Sequence, residues 1–114
     1  MADIRLLVCG GRDFADIGRL DHVLSAYYGH IVLLIHGGAR GADNLAGAWA
    51  MARKIPVRVY PVNWKKYGRS AGPIRNQQML EDARPDLVIA FPGRKGTADM
   101  VRRALIAGVP VIQG

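Results

Sequence analysis

The chain has 114 residues, half of them apolar, with 16 Lys+Arg against 9 Asp+Glu and a formal net charge of +7. That length suits one domain around one hydrophobic core, and that apolar share excludes a disordered polyelectrolyte. A single cysteine, Cys9, excludes an internal disulfide and a four-cysteine zinc site, and the apolar runs are far too short to span a membrane.

Ile4–Gly10 has neither the length nor the basic leader of a signal peptide, so a reducing cytoplasm is the expected compartment. There Cys9 reads as a buried small hydrophobe rather than a nucleophile. The positive charge favours an anionic partner, a phosphorylated small molecule or nucleic acid, over a merely solvated basic surface.

Ile4–Cys9 reads as a buried strand ending at Gly10-Gly11. Ile17, Leu20, Val23, Leu24 and Tyr27 then recur at helical spacing up to Gly29. Ile31–Ile35 is a second strand, followed by the glycine-rich turn His36–Asp43. A helix over Asn44–Arg53 follows, with Leu45, Ala48, Trp49 and Ala52 as its apolar stripe. Ile55–Tyr60 is a third strand, closed by Pro61. After a longer connection, Val62–Gly72, Pro73 suits the first position of a helix running from Ile74 to about Ala83. Leu87–Phe91 is a fourth strand. Pro92–Thr97 leads into a helix that Thr97 can cap and that runs to about Ala107, and Val109–Ile112 is a short last strand.

Strict strand–helix alternation with continuous apolar strands predicts a single Rossmann-like three-layer α/β domain. Its five-stranded sheet is mainly parallel, with helices on both faces. In such a sheet all strand-to-helix loops lie on the carboxyl edge, where ligands bind at the switch in strand order. Gly10–Phe14, His36–Asp43, Asn63–Gly72 and Pro92–Thr97 fall there. They gather most of the glycines together with Arg12, Arg40, Lys65, Lys66, Arg69, Arg94 and Lys95. Structural turns alone would not concentrate glycines and cations on one edge, which points to a phosphate-bearing ligand.

Gly37, Gly38 and Gly41, with Ala42 and Asp43 starting a helix, suit a backbone cradle for phosphate or simply a tight turn. They lack the lysine of a P-loop and the glycine spacing of a dinucleotide fold. Asp43 reads as a cap or turn residue rather than an acid catalyst. Pro92, Gly93, Gly96 and Thr97 form a second candidate cradle. Arg12 and Asp13, beside Gly10 and Gly11, either face a ligand or pair with each other. Arg75 and Asn76 fall in the first turn after Pro73, where a cation opposes the helix dipole and a site role is more natural than a decorative one. Lys65, Lys66 and Arg69 read most simply as a solvated loop. Trp64 and Tyr67 either stack a base or anchor that loop. His36 reads as a strand-end hydrogen-bonding residue. No histidine pair has ligand spacing, so no metal site and no cofactor are expected.

GGRDF at Gly10–Phe14, HGGARGAD at His36–Asp43, AGPIRNQQM at Ala71–Met79 and FPGRKGTADM at Phe91–Met100 together resemble the YspA-like group of the SLOG superfamily, over nearly the whole chain. The resemblance implies a nucleotide-binding Rossmann-like fold and a nucleotide-derived ligand such as an ADP-ribose-like molecule. No membrane partner is expected, because the apolar runs are too short to cross a bilayer. For Asp43 it adds contact with a ribose hydroxyl, and for the assembly a homodimer through helices, with Trp49 or Trp64 as surface candidates.

Phosphoribohydrolases of the superfamily carry P-G-G-x-G-T-x-x-E, whereas Arg94 stands at the second glycine here and Met100 at the glutamate. A thioether can neither stabilise a ribosyl cation nor take a proton. A sensor or carrier of a nucleotide-like molecule is therefore preferred. A phosphoribohydrolase-like enzyme using Asp13, Asp43 or Asp99 ranks second, and a DprA-like binder of single-stranded nucleic acid third.

Overall fold

The unbroken apolar run Leu6–Cys9 obliges that strand to be covered on both faces. The computed structural model, which describes residues 2–114, places it at the centre of the sheet. Strands β1 (Ile4–Cys9), β2 (Ile31–His36), β3 (Val57–Val59), β4 (Leu87–Ala90) and β5 (Val111–Gln113) lie in the order β3-β2-β1-β4-β5. All four pairings are parallel, with Leu6 opposite Leu34 on one side and Leu87 on the other.

Side chains alternate across the sheet. Leu6 and Val8 pack with Leu20 and Leu24 of helix α1 (Ile17–Ser25) and with Ala46, Trp49 and Ala50 of α2 (Ala42–Ala52). Leu7 and Cys9 pack on the other face with Met79, Leu80 and Ala83, and with Met100 and Ala104 of α5 (Lys95–Ile106). Between β3 and β4 come a single turn, α3 (Trp64–Tyr67), a 3₁₀ turn at Gly68–Ser70, helix α4 (Ala71–Gln78) and a widened π turn at Met79–Ala83. Helices on both faces of an all-parallel sheet make the Rossmann-like fold expected from the alternation. The strand order reverses between β1 and β4, so the crevice opens where their carboxyl ends part.

Several boundaries differ from the periodicity. α1 ends at Ser25, before Tyr27, and Ile17 at its start is 64% exposed. α2 begins at Ala42, and its buried face is Ala42, Ala46, Trp49 and Ala50, while Ala48 and Ala52 are exposed. Alanines on every side of a helix leave hydrophobicity unable to set its phase. β3 keeps only Val57–Val59 because it is an edge strand with one neighbour. α4 starts at Ala71, so Pro73 sits within its first turn, where a missing N–H breaks no helical bond. Arg75 and Asn76 consequently fall two residues deeper than Pro73 suggests, past the first turn. α5 starts at Lys95 after Arg94, so Thr97 lies inside its first turn and is not its cap.

Candidate functional site

The four carboxyl-edge loops converge on one cleft of about 1780 Å³. Gly10, Gly11, Arg12, Asp13, Gly37, Gly38, Arg40, Asp43, Arg75, Asn76, Pro92, Gly93, Gly96 and Thr97 all line it. Gly41 and Ala42 stand behind its wall. Ala42 is fully buried and donates to Gly11 O at 3.2 Å, and a Cβ on Gly41, at φ +82°, would run into Gly11 O. Gly41 therefore serves the close approach of two loops.

The turn His36–Asp43 is filled by its own side chains. Asp43, 5% exposed, accepts the N–H groups of Gly37 at 3.0 Å and Ala39 at 3.3 Å through one carboxylate oxygen. His36 Nδ1 accepts the Gly38 N–H at 2.9 Å, which makes Nε2 the protonated nitrogen of the neutral ring. Burial, with the Arg75 charge second, holds His36 below its ordinary value of 6.5. Burial pushes the Asp43 carboxyl above its ordinary value, opposed by the Ala39 amide, the Arg75 charge and the Gly37 amide.

The turn Pro92–Thr97 is different. Gly93 packs tightly, its N-terminal neighbour Pro92 accepting the Gly11 N–H at 2.8 Å. The first helical N–H to find a partner is Ala98, to Arg94 O at 3.0 Å. Among the described residues, the N–H groups of Lys95, Gly96 and Thr97 have none. Nothing lies within 4 Å of a Cβ built on Gly96. The helix dipole, Arg94 and Lys95 add positive potential at the same place.

Arg75 and Asn76 bridge the two turns. The half-buried Arg75 guanidinium donates through Nη1 to Gly37 O at 2.6 Å and Tyr60 O at 3.2 Å, and through Nε to Asn76 Oδ1 at 3.1 Å. It makes no salt bridge among the described residues. Burial lowers its pKa, with the Asp43 charge opposing, and an arginine stays charged through such a shift. Asn76, 4% exposed, donates to Gly96 O at 3.3 Å and to Asp99 Oδ2 at 2.9 Å. Asp99 also takes Arg103 Nε at 2.8 Å and Arg102 Nη2 at 2.7 Å. Burial alone would raise the Asp99 carboxyl, but the bonds from Arg103 and Asn76 and the charges of Arg103 and Arg102 hold it below its usual value.

At the rim Asp13 pairs with Arg40 at 3.4 Å, not with Arg12, which is left without an ion pair among the described residues. The floor is apolar: Cys9, Met79 and Met100 line it, and burial, reinforced by the Asp43 charge, pushes the Cys9 thiol up to about 12. Met79 and Cys9 escaped the sequence reading as cleft residues because both also belong to the core.

The family model for the YspA, cpYpsA-related SLOG family matches residues 4–67, more than half of the chain. The chain belongs to that family. The matched part runs from β1 to α3 and holds the Gly10–Phe14 and His36–Asp43 turns. This SLOG chain is also similar to the Gene 61 protein of Mycobacterium phage D29, at 36% identity over 120 aligned positions covering 95% of the chain and 94% of the phage protein. That likeness extends over the α4 and α5 side of the cleft as well. No helix among the described residues of the SLOG domain is long and apolar enough to cross a membrane.

Proposed function

We propose that the chain binds a nucleotide or a nucleotide-derived, ADP-ribose-like phosphorylated ligand in this cleft, as a sensor or carrier. SLOG membership supports nucleotide-related binding in general. The observation that carries the finer reading is the unpaired first turn of α5, set opposite an Arg75 guanidinium that has no carboxylate of its own. A phosphate seated there receives the Lys95, Gly96 and Thr97 amides, with Arg94, Lys95 and Arg12 adding charge. Gly10, Gly11, Gly37, Gly41 and Asp43 build the wall behind it.

Binding without turnover is favoured by the carboxylates. Four of them line the cleft, and each already has a partner. Asp13 pairs with Arg40, Asp16 accepts the Arg19 N–H at 2.9 Å as the α1 cap, Asp43 holds the Gly37 and Ala39 amides, and Asp99 is held by Asn76, Arg102 and Arg103. Met100, at the position of the hydrolase glutamate, is 1% exposed and packs in the core.

Thermal melting with AMP, GMP, ADP-ribose, NAD and a short single-stranded oligonucleotide tests the reading, each sample being checked for released base. A ligand at 100 times its Kd stabilises the fold by about 2.7 kcal/mol, a shift of roughly ten degrees in a domain this small. A shift without released base is expected. Released base would restore the enzyme, and a shift with the oligonucleotide alone, lost in moderate salt, would replace a small ligand by nucleic acid.

A further inference from the structure

The stretch Pro61–Ser70 lies over the cleft without joining either core. None of its ten residues is buried, although Val62, Trp64 and Tyr67 are among them. Trp64 is 53% exposed and lines the cleft, as does Arg69. The other tryptophan behaves oppositely: Trp49 is 7% exposed and donates its Nε1–H to Asp21 at 2.9 Å. An indole left in water beside a cleft holds a large apolar face in reserve.

The stretch is also loosely tied. α3 is one turn, fastened at its start by the Lys66 N–H to Asn63 Oδ1 bond at 3.0 Å. Gly68, at φ +56°, and Gly72 both have open space where a Cβ would stand, so neither is held by close packing.

Resting on the phosphate seat at α5, we propose that Trp64 is the stacking face for the ligand's planar base, and that Pro61–Ser70 closes over that base when the ligand binds. The ligand class is then a nucleoside phosphate read at two points. Its phosphate sits on the α5 amides. Its ring lies on an indole that tolerates any base, because every base has a π-face. Arg69, on the same stretch and free of ion pairs among the described residues, moves in with the ring.

Calorimetric titration separates the two points. AMP, GMP and ADP-ribose carry base and phosphate, and ribose 5-phosphate carries phosphate alone. The base-bearing probes are expected to bind wild-type protein roughly ten-fold or more tighter than ribose 5-phosphate. Trp64→Ala is expected to bring them down to the ribose 5-phosphate level while leaving ribose 5-phosphate itself unchanged, and Trp64→Phe to keep most of the gain. Tryptophan fluorescence is expected to fall with AMP and to stay constant with ribose 5-phosphate, and the response to AMP to vanish in Trp64→Ala, which keeps only Trp49. Equal wild-type affinities for AMP and ribose 5-phosphate would overturn the stacking role and leave the phosphate seat standing, as would a Trp64→Ala variant that weakens both alike. If none of the probes binds, the phosphate seat itself falls and this inference with it.

Discussion

The turns into α2 and α5 both follow a buried parallel strand, both carry glycines and both end at a helix start, yet their amides have opposite fates. In the first, Asp43 sits on the Gly37 and Ala39 N–H groups, His36 takes that of Gly38, and Ala42 donates to Gly11 O. In the second, the Lys95, Gly96 and Thr97 N–H groups are unpaired among the described residues. A carboxylate three to four atoms long, six residues downstream, is what turns an anion-seeking loop into a piece of scaffold. Glycine-rich strand–helix turns are therefore of two kinds, and the side chain that enters the turn decides which.

The largest expected effect comes from emptying the filled turn. Asp43→Ala leaves the buried Gly37 donor and the part-buried Ala39 donor without an acceptor, a loss of about 2–4 kcal/mol that lowers Tm by roughly ten degrees. Acetate or formate added to the variant should recover part of that Tm, while wild-type Tm stays flat with the same salts. A variant that melts like wild type would show that the carboxylate is not what closes this turn.

These two fates bear on what can be read from residues alone. Every strand, the parallel sheet and the clustering of glycines and cations on one edge follow from apolar runs and their spacing. So does the set of loops that line the cleft. What the spacing cannot carry is direction. Asp43 as a helix-start residue gives no sign that its side chain turns back onto Gly37. Arg75 and Asn76 gain their bridging place from a helix that starts at Ala71 rather than Pro73, a start that the proline does not mark. Gly41 and Ala42 look like cradle residues but are consumed by the contact with Gly11.

Next in size is a substitution in the open turn. Gly96→Asp enters free space in the first turn of α5, where an acidic residue suits the dipole and loss of glycine favours the helix. Tm should hold or rise slightly, while affinity for AMP falls roughly ten-fold or more through repulsion at the proposed phosphate seat. Unchanged affinity in this variant would place the anion elsewhere in the cleft.

The filled turn also predicts a pH dependence. His36 is held below 6.5 in the folded state, so the unfolded chain binds its proton more readily. Its contribution to stability is complete above pH 6.5 and is lost as pH falls from there through the lower folded value. Tm measured from pH 7.5 down to 5 should drop, and the drop should shrink in His36→Asn, whose side-chain oxygen can still accept the Gly38 N–H. An identical slope in both proteins would assign the pH dependence to other groups.

Smallest is an expected lack of reaction. Cys9, at the floor between the two turns, has its thiol pushed up to about 12 by burial and by Asp43. Ellman's reagent at pH 8 should label it only as fast as the protein unfolds, so rapid labelling of folded protein would mean that the floor is open.

The strand order β3-β2-β1-β4-β5 has a consequence for how the molecule is put together. Residues up to β3 form one side of the sheet and the helical layer above it, and those from α4 onward form the other side and the layer below. The cleft is the seam between two consecutive halves of the chain, joined along β1 and β4 and stitched by Arg75 to Gly37. A molecule lodged in a seam acts as a staple. A backbone nick in the uncored stretch 61–70 should leave the halves associated, and the nicked protein should resist dissociation in denaturant more strongly when the staple is present.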